Sequence, residues 1–385
     1  MSKRKIGLKE LHAIDGDRGV AVEQAVGAIS PVLARTLVEH GFGTVFARAE
    51  LGRRERELMT VAILGAIGGA EPQLAVHVEA ALRCGVEPEE LVAAAEHVSV
   101  YAGYPRALNM LFKTRDTLAE MNVEPIASER VVTLNGRETL VSDSGGEGEP
   151  LILTHALGVD RRMWQQATAL LARRYRVIAY DFRGHGHAAG MDAPFTLQDM
   201  ADDLKDLMDV LGLEQAHIAG LALGGVVAQV FARSYPQRLR KLALICTMAK
   251  AQDAFEIRAR AGLEEGMEAQ IVPSLTRWFL PETLAANEWP VRYARESILR
   301  AFPEDWAFAW RALAGVDTWS DLPEITCPSL LLAAEFDRSA TPAMMREMAG
   351  RMPNATYREV AGASHMLALE RPAEVAQALL DFLGD

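Results

Sequence analysis

From about residue 130 to the end of the chain, short β-rich runs alternate with longer helical patterns. That alternation narrows the possible folds more than any other feature. The runs are RVVTLN, ETLVSDSG, PLILTHA, YRVIAYD, HIAGLAL, KLALICTM, SLLLAAEFD and TYREVAG. Strands separated by helices need crossover connections, so a mostly parallel sheet covered on both faces is expected. Residues 1–120 have a different texture, with helical periodicity and no convincing strand. Candidate helices there are VEQAVGAISPVLARTLVEHG, RRERELMTVAILGAIGG, QLAVHVEAALRCG, PEELVAAAEHVSVYAG and PRALNMLFKTRDTLAEMN, broken at Gly, Pro or Asn. At 385 residues the chain suits two domains. The change of texture puts their junction near 122–130, in NVEPIASE. An all-α domain is expected over 1–125 and an α/β domain over 126–385.

The bulk properties exclude several classes of partner. A net charge of −12 argues against nucleic acid and against an anionic membrane. The longest apolar stretch, Leu58 to Ala70, is too short to span a bilayer. The first residues, MSKRKIGLKELHAIDGD, are basic but lack an apolar core, so no secretory leader is expected. Cys84, Cys246 and Cys327 lie far apart with no C-x-x-C pair, which suits reduced thiols in a cytoplasmic protein. The nine histidines form no H-x-x-x-H pair, and neither a metal nor a cofactor is expected.

At 218–227 the chain reads IAGLALGGVV. An apolar run, a tight turn and small helix-opening residues match the strand–turn–helix that carries a nucleophilic serine as G-x-S-x-G. The spacing is kept in Gly220-Leu221-Ala222-Leu223-Gly224, but Ala222 occupies the serine position. Acyl transfer also needs a base, an orienting acid and an oxyanion hole. In the expected chain order, SLLLAAEFDRSATP ends its strand near Asp337, and TYREVAGASHMLALERP presents His365 in a turn after the next strand. A loop Asp is ordinarily a cap and a single His ordinarily structural; together, behind an elbow-like turn, they read as catalytic. After LILTHALGVDRRMW begins its turn, the Leu157 amide is a candidate oxyanion donor, with the Leu223 amide as the second. DFRGHGHAAG at 181–190 lacks G-x-G-x-x-G and does not read as a dinucleotide site.

GLALGG, HALG, YDFRGHG, AAEFDRSATP and GASHMLALERP, spread over 130–385, resemble the α/β-hydrolases. More narrowly, with LTRWFLPE at 275–282, they look like the 3-oxoadipate enol-lactone hydrolases. The resemblance implies an eight-stranded sheet, a helical cap over about 250–315, and a small anionic unsaturated lactone as substrate. Arg161, Arg162 and Trp164 follow the oxyanion turn and Arg277-Trp278 falls in the cap. Any of these arginines can clamp a substrate carboxylate, or be an ordinary surface residue. The departure from the family is Ala222, whose side chain has no lone pair and excludes covalent catalysis from that position. One reading is a disabled serine-to-alanine variant. The alternative is a natural serine-less protein that binds ligand or does non-hydrolytic or biosynthetic lactone chemistry.

In the helical half, Glu57, His77, Glu79, His97, Tyr101, Tyr104 and Asn109 stand out as polar residues on apolar helices. RELMTVA, LAVHV and YAGYPRALN carry a resemblance to the carboxymuconolactone decarboxylase family over roughly 30–118. Redox-active members of the wider superfamily hold a C-x-x-C pair before the histidine. Here those positions are Ala70 and Gln73, so redox chemistry is not expected. The resemblance implies cofactor-free decarboxylation of 4-carboxymuconolactone and a homo-oligomer built through the helical domain. His77 is assigned to proton transfer and Glu57 to orienting it. Arg53, Arg54 or Arg106 would hold a carboxylate. The two implied activities are consecutive, since decarboxylation yields the enol-lactone that the hydrolase opens.

Overall fold

The N-terminal unit is built from α1 (Lys3–Ile29), α2 (Pro31–Thr36), a π-helical run over Leu37–Phe46, α3 (Arg53–Ile67), α4 (Glu71–Arg83), α5 (Pro88–Ala102) and α6 (Tyr104–Glu120). The computed structural model describes residues 2–121, 123 and 128–384. Contacts divide the chain into two units, Met1–Pro125 and Ile126–Asp385, and the junction expected at 122–130 lies in part outside the described residues.

Two helical expectations need correction. Residues 22–41 are not one helix. Ser30 breaks the run because its Oγ accepts from the Leu33 amide (3.3 Å) while Pro31 occupies the first turn of α2, a start signal inside an otherwise periodic stretch. Residues 3–21, not assigned to any helix from sequence, belong to α1. That helix is interrupted at Gly16, whose left-handed φ of 60° a side chain would resist. The core of the unit is the interleaving of Val61 on α3, Leu74 and Val78 on α4, Leu91, Ala95 and Val98 on α5, and Met110 on α6.

The C-terminal unit is a sheet of β1 (Ser128–Leu134), β2 (Arg137–Asp143), β3 (Pro150–Thr154), β4 (Arg176–Tyr180), β5 (Ala216–Leu221), β6 (Leu239–Ile245), β7 (Ser329–Ala334) and β8 (Ala355–Val360). Its strand order is β1-β2-β4-β3-β5-β6-β7-β8. Among the eight described strands, only β1–β2 and β2–β4 pair antiparallel. Strands β5 and β7 are buried at every position, which explains why they read as unbroken apolar runs instead of alternating ones. The helices of this unit are α7 (Gln165–Leu171), α8 (Leu197–Val210), α9 (Leu223–Ser234), α10 (Ala254–Glu265), α11 (Ile271–Trp278), α12 (Pro281–Ala286), α13 (Trp289–Arg300), α14 (Pro303–Ala314), α15 (Pro342–Arg351), α16 (Leu367–Glu370) and α17 (Pro372–Gly384). Helices α7 and α17 pack together, as do α8 and α9. Helices α10 to α14 are inserted between β6 and β7, so the chain leaves the sheet, forms a helical layer and returns.

Candidate active sites

The turn between β5 and α9 consists of Ala222 alone. Its backbone sits at φ 51°, ψ −111°, a conformation costly for any residue with a Cβ. Neighbours hold it there. The Ala222 amide donates to the Ile245 carbonyl (3.0 Å), and the Ala222 carbonyl accepts from Thr247 Oγ1 (2.7 Å). The flanking glycines are required by close approach. A Cβ on Gly220 would stand 2.3 Å from the Gly224 carbonyl oxygen, and one on Gly224 would stand 2.2 Å from that of Thr154. The strained elbow is therefore intact although it presents only a methyl group.

Asp337 lies three residues beyond β7. Its Oδ1 accepts from the amides of Ser339 (2.7 Å) and Ala340 (3.0 Å), which leaves Oδ2 to meet His365 Nδ1 at 2.8 Å. A buried carboxylate at that distance fixes the proton on Nδ1, so Nε2 is the free basic nitrogen. His365 lines the same cavity as Ala222. Its loop is anchored by Glu370, which accepts from the Ser364 amide (2.6 Å), the Leu280 amide (2.8 Å) and Thr283 Oγ1 (2.7 Å). The histidine loop and the inserted helices are thereby tied to one carboxylate.

The Leu157 and Leu223 amides, proposed from sequence as oxyanion donors, belong to residues lining this cavity, and neither finds a protein acceptor among the described residues. The Leu157 loop is set by His155. That ring accepts from the Phe182 amide at Nε2 (2.9 Å) and donates from Nδ1 to the Ala156 carbonyl (2.8 Å). Complete burial, reinforced by neighbouring His185, drives its pKa down to about 3. It stays neutral and serves as a fixed strut.

The cavity is narrow, with room of about 20 Å³, and is roofed by the inserted helices. Arg258 on α10 and Arg277 on α11 reach into it without a carboxylate partner among the described residues. Their guanidinium groups lie 4.8 and 5.8 Å from the ring centre of Trp310. Burial, together with the charge of Arg258, lowers the Arg277 pKa to about 10, and burial lowers that of Arg258. Both remain cationic at neutral pH, desolvated and lacking a counter-ion.

The other three C-terminal residues assigned from sequence to the substrate lie elsewhere. Arg161 pairs with Asp181 (2.9 Å) and with Glu129, and its Nε donates to Ser142. Arg162 pairs with Asp160 (2.6 Å), whose amide in turn donates to Tyr293 on α13. Trp164 is fully buried in the core. None of the three lines the cavity. Arg258 was missed because nothing in FEIRARAG separates it from Arg260 next along the helix.

In the helical unit, His77 Nδ1 meets Glu57 Oε2 at 2.8 Å, with Glu57 wholly buried. A third group, Asp15 of α1, joins them, and one donor atom from each of the three lies within 4.8 Å of the others. Burial raises the Asp15 pKa to about 6, with the His77 charge opposing. For His77, burial disfavours the cation, but the Glu57 hydrogen bond and the charges of Glu57 and Asp15 outweigh it and its pKa rises. Asp15 was not recognised from sequence, since its segment was not read as helix. Of the arginines considered, Arg53 pairs with Glu10 (2.8 Å) and Arg54 with Glu90, while Arg106 is exposed. His97, Tyr101, Tyr104 and Asn109 are exposed, and Glu79 pairs with Arg18.

Residues 151–378 match the Alpha/beta hydrolase family, and residues 31–116 match the Carboxymuconolactone decarboxylase family. The chain is 29% identical over 261 residues to 3-oxoadipate enol-lactonase 1 of Acinetobacter baylyi, covering 67% of this chain and 97% of that protein. It is 31% identical over 224 residues to 3-oxoadipate enol-lactonase 2 of the same organism, covering 58% and 84%. Among solved structures, the enol-lactonase from Burkholderia xenovorans LB400 superposes with a TM-score of 0.65 at 30% identity, covering 66% of this chain and all of that one.

Proposed function

The chain belongs to the alpha/beta hydrolase family and carries a carboxymuconolactone decarboxylase segment ahead of the hydrolase. From that premise we propose that the helical unit decarboxylates 4-carboxymuconolactone and the α/β unit is shaped for the resulting 3-oxoadipate enol-lactone. In this chain the second unit holds that lactone without opening it through a covalent intermediate, because Ala222 stands where the serine belongs. The observation that carries this reading is the cavity shared by Ala222, His365, Leu157 and Leu223 under two unpaired arginines.

In this reading each residue has a role. Arg258 and Arg277 attract the substrate carboxylate, which supplies the missing counter-ion. The Leu157 and Leu223 amides stabilise the oxyanion that forms at the lactone carbonyl. His365, oriented by Asp337, would take a proton from a hydroxyl at position 222 and return it to the leaving enol oxygen. With a methyl group there, no bond from residue 222 to the carbonyl can form. In the helical unit, His77 and Glu57 manage the proton that must be added to carbon after CO₂ departs. No helix among the described residues is long and apolar enough to cross a membrane, and we place the protein in the cytoplasm with its soluble substrates.

The test supplies 4-carboxymuconolactone to the chain as it stands and follows substrate, enol-lactone and 3-oxoadipate separately. The expected result is consumption of substrate with accumulation of enol-lactone beyond its spontaneous hydrolysis. His77→Ala should abolish consumption. Unchanged substrate would contradict the decarboxylase assignment. Enzymatic formation of 3-oxoadipate would contradict the disabled second step, and would point to water activated directly by His365.

A further inference from the structure

The polar cluster of the helical unit draws one of its three members from outside the family-matched segment. Glu57 and His77 lie within 31–116, whereas Asp15 lies on α1, ahead of it. Its placement is specific. Gly16 breaks α1 immediately after Asp15, and Arg83 Nη1 at the end of α4 donates to the Ile14 carbonyl (2.7 Å), pinning the broken turn. The Asp15 side chain is thereby held in the interior, 7% exposed. One oxygen on each carboxylate, Asp15 Oδ1 and Glu57 Oε1, is buried and has no hydrogen-bond partner among the described residues. Buried carboxylate oxygens are costly unless a compensating positive charge or donor faces them.

The groups around Asp15 decide what that charge is. Helix α3 contributes Glu57, and α4 contributes His77 and, at its end, Arg83 with Cys84. The π-helical run packs apolar side chains, Val38 and Phe42 with Leu37 and Phe46, around Leu11 and Ile14 of α1. Arg83 is committed to the Ile14 carbonyl, so the imidazole is the positive group closest to both carboxylates. A Glu57–His77 pair alone balances one charge; a second carboxylate within 4.8 Å makes the doubly protonated ring the favoured form.

We propose that Asp15 is a positioning residue that, together with Glu57, holds His77 as an imidazolium whose Nε2 proton is delivered to carbon. The inference rests on the decarboxylation reading for its substrate. The bond between the lactone and its carboxylate breaks, and the electron pair passes into the conjugated carbonyl as an enolate while CO₂ leaves uncharged. That pair then takes the Nε2 proton at carbon. Neutral His77 regains a proton from solvent, so one proton is consumed per turnover. Rate therefore depends on the acid form of His77 and falls as pH rises through its pKa.

The experiment follows the His77 ring by NMR through a pH titration of the full chain, alongside the pH dependence of decarboxylation. Asp15→Asn is compared with Asp15→Glu, which keeps the charge. Asp15→Asn should lower the His77 pKa by about one unit. It should move the alkaline limb of the kcat profile by the same amount, with KM little changed, while Asp15→Glu restores most of both. A His77 titration unmoved in a folded Asp15→Asn protein would overturn the proposal. So would decarboxylation that is lost on chelation and restored by a divalent metal, because the cluster would then hold a cation in place of the proton. If no decarboxylation is found at all, the proposed reaction fails, while the His77 titration still decides whether Asp15 governs the ring.

Discussion

The two units keep their unsatisfied groups in opposite places. In the α/β unit the acid–base pair is fully engaged: Asp337 accepts from two amides and from His365, and the His365 loop is bound through Glu370. What lacks partners there, among the described residues, faces the cavity, namely the Leu157 and Leu223 amides and, without a carboxylate, two arginines beside the Ala222 methyl. In the helical unit one oxygen on each of two buried carboxylates lacks a partner among the described residues, and the exterior is apolar too. Most of the large apolar side chains exposed among the described residues belong to this shorter unit, including Ile29, Val32, Leu33, Val100, Tyr101 and Tyr104. Apart from the hydroxyl missing at position 222, the α/β site lacks only a ligand. A helical unit with a wide apolar exterior is compatible with the homo-oligomer that the family resemblance implies.

Restoring the missing oxygen gives the largest effect. Ala222→Ser should raise enol-lactone turnover by about 10⁴–10⁶-fold, because the rest of the catalytic group already stands in place. Within that restored protein, Asp337→Asn should lower kcat by about 10⁴-fold through loss of the correct His365 tautomer. A much smaller loss would mean that the two bonds to Ser339 and Ala340, not the bond to His365, are the purpose of Asp337. Arg277→Ala in the same background should raise KM by about 10–100-fold with a smaller change in kcat, the value of a charge-assisted contact. Arg161→Ala should instead lower stability and leave KM near its original value, since that side chain is occupied by Asp181 and Glu129.

The smallest effect belongs to the helical unit and is one of stability. Burial raises Asp15 to about 6 from an ordinary 3.8, so between those values the folded chain binds more protons than the unfolded chain. Its stability therefore falls as pH rises through that window. Asp15→Asn should relieve this and stabilise the unit by about 1–3 kcal/mol near pH 7.5, an advantage that fades toward pH 4. Denaturant unfolding at the two pH values measures it. A loss of stability at the higher pH would mean that the Asp15 charge is repaid in full by His77.

What was legible in the sequence follows from how local each signal is. The eight strands, the elbow spacing at Gly220 and Gly224, and the order of Asp337 and His365 are set by short-range patterns, and the chain displays them openly. The pairing of Arg161 with Asp181 and of Arg162 with Asp160 is different in kind. Only one of those partners is near in sequence, and an arginine after an oxyanion turn looks the same whether it awaits a substrate or is already neutralised. Arg258 was hidden for the converse reason, since its importance comes from α10 and α11 meeting over Trp310. Asp15 was obscured by Gly16 and by the polar composition of α1, which conceal a helix whose break is what turns the carboxylate inward.

The central claim is that the α/β unit is an enol-lactonase site complete but for one hydroxyl. The most direct measurement is the rate of 3-oxoadipate formation from enol-lactone by the chain and by Ala222→Ser at equal concentration. The account predicts formation at the spontaneous rate with the first and rapid, saturable formation with the second. If Ala222→Ser folds, keeps the cavity and still forms no 3-oxoadipate, the unit is not an interrupted lactonase, and its cavity serves binding or a different reaction.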